Sequence, residues 1–252
     1  MESERGFIIK AFIFIILILL ILNLLGFLLN SYKPEIIKPE DEKNVFLTFE
    51  NSTLVKMKLP AVNNEGEGVI TELRVEKTKG SGRTLTEIDN LLFWADTQHS
   101  IRIAKMVAGN ITGKDLNQYD IVYTVEANAS IIGGPSAGAA LAIATISALL
   151  EKPTRDDVMI TGSINSDGSI GPVSEVYAKA KAAKEYGAKI FLVPPLQNRD
   201  FIYETVKSCE KFGVAEVCTT ETRPVKINIT EEIGVKVHEV ANIEEAMNYF
   251  FG

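Results

Sequence analysis

The chain has 252 residues, 46% of them hydrophobic, which is enough for one sizeable folded domain and some additional segments. Its formal net charge is −7, and this argues against a nucleic-acid-binding protein, which would normally carry a basic patch. Only two histidines and two cysteines are present, and they lack metal-ligand spacing, so the sequence predicts neither a metal site nor a cofactor.

Residues 1–30 form a separate segment at the start of the chain. Residues 11–29 read AFIFIILILLILNLLGFLL, in which Asn23 is the only strongly polar residue. This run is long enough to cross the hydrocarbon core of a bilayer as a helix. A cleaved signal peptide is the competing interpretation, but it would have a shorter apolar region followed by a small-residue cleavage site. The sequence therefore predicts an uncleaved anchor and a single-pass membrane protein.

The side of the membrane on which the rest of the chain lies is predicted from its sequons. Basic residues are nearly balanced across the predicted span, so the positive-inside rule does not orient it. Asn-x-Ser/Thr sequons favour a position outside the cytoplasm, since they act as acceptor sites only where glycosylation machinery is present. In such a compartment Cys209 and Cys218 could form a disulfide, and two reduced, buried cysteines are the alternative. The sequons begin at Asn51, Asn110, Asn128 and Asn228.

The remaining chain divides into a tether and a folded domain. Residues 31–44 are charged and contain proline, which is typical of a tether. Residues 45–252 alternate between strand-like and helix-like periodicity, which predicts a mixed α/β domain with helices packed on sheet. The predicted elements after the first strands are a strand in 68–80, a helix in 97–108, a strand in 120–125, a helix in 136–150, a strand in 158–164, a turn in 165–168, a helix in 174–186, a strand in 190–193, and a strand and helix in 234–251.

The segment IIGGPSAG places Ser136 at the start of a long apolar helix. Serine in this position is most often a plain helix N-cap. It could also help to bind a phosphate, or act as a nucleophile whose oxyanion is held by the free N–H groups of the helix start. The small residues around Ser136 indicate that something approaches the backbone closely, which favours a site.

A nucleophilic serine requires a base, and the histidines do not supply one. Neither His99 nor His238 has a recognisable companion, so a lysine is the remaining option, provided that burial keeps it neutral. In the helix of residues 174–186, Lys179 lies on the edge of a small apolar face, whereas Lys181 points the opposite way. The alternative is that Lys179 extends along the apolar edge to water.

Two segments together resemble the proteolytic domain of the Lon protease family. Residues 134–138, GPSAG, match the nucleophile motif of the family. Residues 161–164, followed by Gly168, Pro172 and the helix with Lys179, match the segment that carries its catalytic lysine. The separation of the serine and the lysine agrees with the family, and residues 235–250 look like its closing strand and helix. The resemblance covers most of residues 45–252.

The resemblance implies a single Lon-type proteolytic domain of the mixed α/β (α+β) class, with helices packed on mixed sheets. It also implies a serine endopeptidase with a Ser-Lys dyad, in which Ser136 is the nucleophile and Lys179 the general base. Thr161 would form a hydrogen bond near the dyad and orient the lysine. The backbone at Gly134, Pro135 and Ser136 would offer oxyanion donors.

The sequence departs from the Lon pattern in two respects. Many Lon domains carry an acidic residue three positions before the serine, where this chain has Gly133. The chain also lacks an ATPase module, and in this it resembles the membrane-anchored, ATPase-free Lon-like proteins of archaea. Expected substrates are therefore peptides and flexible or unfolded protein segments, cleaved without ATP. A homo-oligomer is expected from the resemblance alone.

Two alternatives to a peptidase remain open from the sequence. The glycine-serine segment at 133–140 also loosely resembles the phosphate loop of GHMP small-molecule kinases, and ATP binding would distinguish the two families. Those enzymes need a further substrate domain, for which this chain has little room. The other alternative is a membrane-tethered binding module that kept the fold and lost catalysis, which the glycine at position 133 supports.

Overall fold

The computed structural model describes residues 52–87, 92–93, 95–127, 131–132, 134–213 and 215–252. The predicted anchor, the tether, Gly133 and the sequons at Asn51 and Asn128 lie outside the described residues. Within the described ranges, no helix combines the length and the apolar character that a membrane span requires.

Thirteen strands and five α-helices make up the described part of the chain. In chain order the strands are β1 (Thr53–Val62), β2 (Gly68–Lys79), β3 (Thr84–Thr86), β4 (Leu92–Phe93), β5 (Tyr119–Glu126), β6 (Ile131–Ile132), β7 (Val158–Ile160), β8 (Ser163–Ile164), β9 (Ile170–Gly171), β10 (Ile190–Val193), β11 (Arg199–Phe212), β12 (Ala215–Asn228) and β13 (Lys236–Glu239). The α-helices are α1 (Ala95–Thr112), α2 (Gly138–Leu150), α3 (Val176–Glu185), α4 (Ile229–Ile233) and α5 (Ile243–Phe251). Short 3-10 helices cover Leu116–Gln118 and Pro135–Ala137.

A four-stranded sheet in the order β1-β2-β5-β3 covers one side of the main core. Its long strands pair antiparallel and alternate buried with more exposed residues, because one face of the sheet lies on the core. Helix α2 lies in this core, and every residue from Gly138 to Leu149 is buried. A helix that is apolar all round is expected in such a position. Helix α1 packs against it.

A second, parallel sheet in the order β13-β10-β7 positions the segments that follow α2. Its central strand contributes the fully buried Phe191 and Val193. Helix α3 buries Val176, Ala180 and Ala183 in the same apolar cluster. The small residues of α3 therefore face the core, as the periodicity predicts, and the edge of that face carries Lys179.

A long antiparallel hairpin, β11–β12, lies in the chain between β10 and β13 of the second sheet. The two strands pair along their full length, and a disulfide joins Cys209 to Cys218, which lie directly opposite each other. Both cysteines are exposed, so the alternative of two reduced, buried cysteines is wrong. The sequence pattern predicts no element in this region, because polar residues occur on both sides of the strands and the usual apolar alternation is absent.

The mixed α/β class, with helices packed on sheets, is confirmed, and two element boundaries need correction. The helix predicted for residues 136–150 begins as a 3-10 turn, Pro135–Ala137, and becomes α-helical at Gly138. The strand predicted for residues 158–164 is two strands, which Thr161 and Gly162 separate. The turn predicted at residues 165–168 connects the antiparallel pair β8–β9.

Candidate active site

The loop that carries Ser136 depends on the backbone freedom of Gly134. Gly134 precedes the 3-10 turn with a φ of 97°, a value that residues with a side chain rarely adopt. Pro135 then occupies the first position of the turn, where its fixed φ is favourable and its missing N–H costs nothing. Ser136 follows in a half-buried position, just before the buried helix α2. The chain therefore turns sharply and presents the serine at a helix start.

Thr161 lies directly beneath the serine loop. Its side chain is fully buried, and its hydroxyl donates to the Ser136 carbonyl at 3.4 Å. The next residue strengthens this contact, because the N–H of Gly162 donates to the same carbonyl at 3.0 Å. The Gly162 carbonyl in turn accepts from the N–H of Ala139 at 2.9 Å. The break between β7 and β8 thus holds the backbone at the carbonyl of the nucleophile candidate and at the N–H of Ala139, three residues later.

Lys179 is buried on the core-facing side of α3, with a relative exposure of 3%. Within the part of the chain that the structure describes, its amine donates one hydrogen bond, to the carbonyl of Ser174 at 2.9 Å. Burial lowers the pKa of Lys179 below the ordinary lysine value, because water no longer stabilises the charged form, and the nearby charge of Glu175 opposes part of this shift. Lys181, by contrast, is exposed. The alternative in which Lys179 extends to water is therefore wrong.

Two other lysines are buried among the described residues, and their contacts distinguish them from Lys179. Lys77 forms an ion pair with Glu151 at 2.7 Å. Burial also lowers the pKa of Lys105, but its amine donates to Gly82, Arg83 and Thr84. Three acceptors use all three N–H donors of an ammonium group, which makes Lys105 a structural cation. Lys179 has one acceptor among the described residues, so its contacts do not require a charged ammonium group, and a neutral amine there could accept a proton.

The hydrogen bonds of the described residues connect some of the predicted site residues and not others. They join Ser136 to Thr161, but they include no bond between the Ser136 hydroxyl and the Lys179 amine, nor between Thr161 and Lys179. Ser136 is positioned by the 3-10 turn before α2, and Lys179 is positioned by α3. Each element is held by its own contacts.

Known proteins with similar sequences identify the family. A family model described as the Lon protease (S16) C-terminal proteolytic domain matches residues 74–221. The chain belongs to this family. Membership makes the described region a serine-type peptidase domain.

Individual relatives carry the same name. The chain is 29% identical over 190 residues to an archaeal Lon protease of Methanocaldococcus jannaschii, covering 71% of this chain and 27% of that protein. It is 28% identical over 194 residues to Lon protease 2 of Bacillus subtilis, covering 68% of this chain and 35% of that protein. An archaeal Lon protease of Pyrococcus abyssi is 39% identical over 88 residues, which are 35% of this chain and 9% of that protein. The chain thus spans about a quarter to a third of the length of the first two relatives.

In this Lon domain the serine loop is held by a carboxylate that the sequence pattern does not single out. The Asp96 carboxylate, at the start of α1, accepts a hydrogen bond from the N–H of Gly134 at 2.9 Å. The neighbouring Thr97 hydroxyl donates to the Gly134 carbonyl at 3.4 Å. The only sequence signal for Asp96 is an acidic residue directly before the helix predicted for residues 97–108, which also occurs at many helix starts without a site.

These contacts affect which oxyanion donors the loop can supply. The N–H of Gly134 is engaged by Asp96, and Pro135 has no N–H to donate. The N–H of Ser136 lies in the first turn of a 3-10 helix, where N–H groups have no acceptor within the helix. Of the three residues predicted to form the oxyanion site, Ser136 itself is therefore the one with an N–H suited to that role.

The lysine side of the Lon domain has supporting contacts of its own. The Gln197 side chain accepts from the N–H of Val173 at 2.9 Å and donates to the Val173 carbonyl at 2.6 Å. Val173 directly precedes Ser174, whose carbonyl accepts the bond from Lys179. Asp200 accepts from the N–H of Tyr177 in the first turn of α3 at 3.1 Å. Nothing in the local sequence distinguishes Gln197 or Asp200 from surface residues, since their partners are distant in sequence.

Within the ranges that the structure describes, no three His, Cys, Asp or Glu residues are grouped so that they could hold a metal ion. His99 is an exposed residue of α1, and the ring of His238 packs against that of Tyr249 with centroids 5.1 Å apart.

Proposed function

We propose that this Lon domain is an ATP-independent serine endopeptidase that uses Ser136 as nucleophile and Lys179 as general base. The observation that carries the proposal is the state of Lys179, a buried lysine with a lowered pKa and, among the described residues, a single hydrogen-bond acceptor. An amine in this environment loses its proton more readily than an ordinary lysine, and a neutral amine has a lone pair that can accept the serine proton.

The proposed mechanism begins with proton transfer from the Ser136 hydroxyl to the neutral Lys179 amine. The serine oxygen attacks the peptide carbonyl, and the N–H of Ser136 donates to the oxyanion of the tetrahedral intermediate. The Lys179 ammonium then protonates the leaving amine, which leaves an acyl-enzyme on Ser136. Lys179 next takes a proton from water, which attacks the ester, and the resulting ammonium returns that proton to the Ser136 oxygen as the acyl group leaves as a carboxylic acid. Thr161 supports this sequence by fixing the Ser136 backbone.

The proposed substrates are peptides and unfolded or flexible protein segments. A stable fold would first have to be opened before one of its peptide bonds could reach Ser136, so segments that are already flexible are the substrates that this domain can take directly. Family membership argues against the small-molecule kinase alternative, because the match in residues 74–221 includes the serine loop and the lysine helix. The catalytically inactive binding module predicts no cleavage, and the following experiment distinguishes it.

Replacement of Ser136 by alanine tests the function directly. We expect the full chain in detergent to cleave casein without ATP, and Ser136→Ala to lower the rate by about 10³-fold or more, since it removes the nucleophile. Ser166→Ala, at an exposed serine of the β8–β9 turn, is the matched control and should cleave as the wild type does. Absence of cleavage by the wild type would favour the binding module, and equal cleavage by all three proteins would exclude Ser136 as the nucleophile.

The acidic limb of the pH profile tests the role of Lys179. The charge of Glu175 raises the pKa of Lys179, so Glu175→Gln should lower that pKa further. Lys179 must be neutral to act as a base, and the variant should therefore stay active to lower pH than the wild type. The measurement is kcat/KM for a fluorogenic peptide across the pH range. Glu185→Gln, at an exposed carboxylate of the same helix, serves as the control. A shift of the limb to higher pH would contradict the proposed base.

We also propose that residues 11–29 anchor the protein in a membrane with the peptidase domain outside the cytoplasm. The exposed disulfide between Cys209 and Cys218 supports this side, since disulfides persist in oxidising compartments. Extraction of isolated membranes with alkaline carbonate tests the anchor, because a peripheral protein would be released into the supernatant.

A further inference from the structure

The outer part of the β11–β12 hairpin, beyond its half-buried base, exposes both of its faces to solvent. The strands pair from Arg199 opposite Asn228 to Phe212 opposite Ala215. The described side chains between residues 203 and 224 are all exposed. A two-stranded hairpin on its own is marginally stable in water, and stability normally comes from packing one face against something else. The disulfide between Cys209 and Cys218 stabilises the hairpin but covers neither face.

Charge is divided between the two faces of this hairpin. Successive side chains of a strand point to opposite faces, and residues paired across an antiparallel ladder share a face. With the observed register, one face, termed the basic face, contains four basic residues and a single acidic one, Glu216. The other, termed the acidic face, contains four acidic residues and a single basic one, Arg223. The basic residues are Arg199, Lys207, Lys211 and Lys226, and the acidic residues are Asp200, Glu204, Glu210 and Glu221.

Each face also exposes large apolar side chains. On the basic face Phe201 is 58% exposed and Tyr203 is 74% exposed. On the acidic face Val206 is 38% exposed and Val217 is 52% exposed. Exposed aromatic and aliphatic residues surrounded by charges are typical of protein–protein contact surfaces. Both faces therefore have the composition of an interface.

We propose that the basic face of the hairpin binds the acidic face of the hairpin in a second copy of this chain. The two faces are complementary in charge, and a second copy presents both at once. An acidic peptide would cover the basic face and leave the acidic, aliphatic face exposed. The contact joins two different faces, so it is heterologous, and repeated contacts build a closed ring or an open chain of subunits. This inference does not depend on the proposed peptidase mechanism.

Charge reversal tests the pairing. One variant of the full chain carries Lys207→Glu and Lys226→Glu, which makes both faces acidic. The other carries Glu210→Lys and Glu221→Lys, which makes both faces basic. We expect the wild type in neutral detergent to self-associate, and each variant to associate at least tenfold more weakly in sedimentation experiments at low salt. An equimolar mixture should recover association, because the acidic faces of one variant meet the basic faces of the other.

A matched control separates the hairpin from overall charge. Lys181→Glu with Lys236→Glu changes the net charge as much as the first variant does, at exposed positions outside the hairpin, and should associate as the wild type does. Circular dichroism and the mass of the intact disulfide verify folding. A monomeric wild type, unchanged association of either hairpin variant, or a mixture that does not recover would overturn the proposal. Weaker casein binding with unchanged association would instead make the hairpin a substrate-docking surface, and would also overturn it.

Discussion

Replacement of Lys179 by methionine is expected to abolish peptide cleavage without loss of stability. Methionine has a similar volume and no charge, so it fits beside Val176, Ala180 and Ala183 in the apolar cluster of α3. Removal of the general base should lower kcat/KM by about 10³-fold or more. The free energy of unfolding should stay the same or rise by about 1 kcal/mol, because a buried amine is replaced by an apolar group.

The sign of the stability change follows from the pKa of Lys179. Burial lowers this pKa in the folded state, so the unfolded chain binds the proton more tightly. Wild-type stability should therefore increase as the pH rises through the interval between the folded and unfolded pKa values. The stability of Lys179→Met lacks this pH dependence, so the variant should exceed the wild type in free energy of unfolding by the largest amount at pH values below that interval. Chemical denaturation at several pH values, together with peptide kinetics, measures both effects.

The exposed Lys181 provides the control for this prediction. Lys181→Met removes a charge from the same helix at a position that faces solvent, and it should leave kcat/KM within about twofold of the wild type. If Lys179→Met retains substantial activity, Lys179 is not the base. If both activity and stability fall sharply, Lys179 has a structural role like that of Lys105, whose three acceptors hold it as a cation.

The inward orientation of Lys179 could be predicted from the sequence because it depends on local periodicity. Residues of one helix share a face at fixed spacings, so the small residues of 174–186 indicate which lysine lies beside the core. The position of Ser136 at a helix start follows in the same way from Gly-Gly-Pro before an apolar run. Family resemblance then indicated that these two residues act together, which the periodicity of either segment alone does not show.

The residues that support the site could not be predicted from the sequence. Asp96 bonds to Gly134 across 38 positions of the chain, and Gln197 bonds to Val173 across 24. Such contacts depend on how helices and strands are arranged in space, and no local pattern encodes them. The hairpin was missed for a related reason, since its two faces differ in charge rather than in hydrophobicity. Its pattern becomes visible only when the strand register assigns residues to faces.

The last glycine of the nucleophile motif, Gly138, allows a prediction about the architecture of the loop. Gly138 has an ordinary helical backbone, with φ −55°, so alanine there would suffer no conformational strain. The higher helix propensity of alanine would even favour the substitution by about 1 kcal/mol. A Cβ at this position, however, would lie 2.6 Å from Cγ2 of Ile164 and 2.7 Å from the Ile164 backbone nitrogen. The backbone nitrogen belongs to β8, which cannot move without disturbing the Thr161–Gly162 contacts with Ser136.

Gly138→Ala is therefore expected to be destabilising and inactive despite its better helix propensity. Overpacking of this kind costs about 1–3 kcal/mol, and displacement of the Ser136 loop from Thr161 should lower kcat/KM by about 10²-fold. Unfolding curves and peptide kinetics, measured well below the unfolding midpoint, separate lost stability from lost geometry. A variant as stable and as active as the wild type would show that helix α2 does not need its close approach to β8.

A second substitution at Ile164 identifies the steric cause. Ile164→Ala removes the Cγ2 atom that the new Cβ would meet, whereas Ile164→Val keeps it. The double variant Gly138→Ala with Ile164→Ala should be more stable and more active than the sum of its two single changes predicts. The double variant Gly138→Ala with Ile164→Val should match the sum of its single changes in both stability and activity. Recovery would be incomplete, because the contact with the Ile164 backbone nitrogen remains. Equal behaviour of the two double variants would exclude the Cγ2 contact as the reason for glycine, and would leave the backbone of β8 as the group that the serine helix must approach.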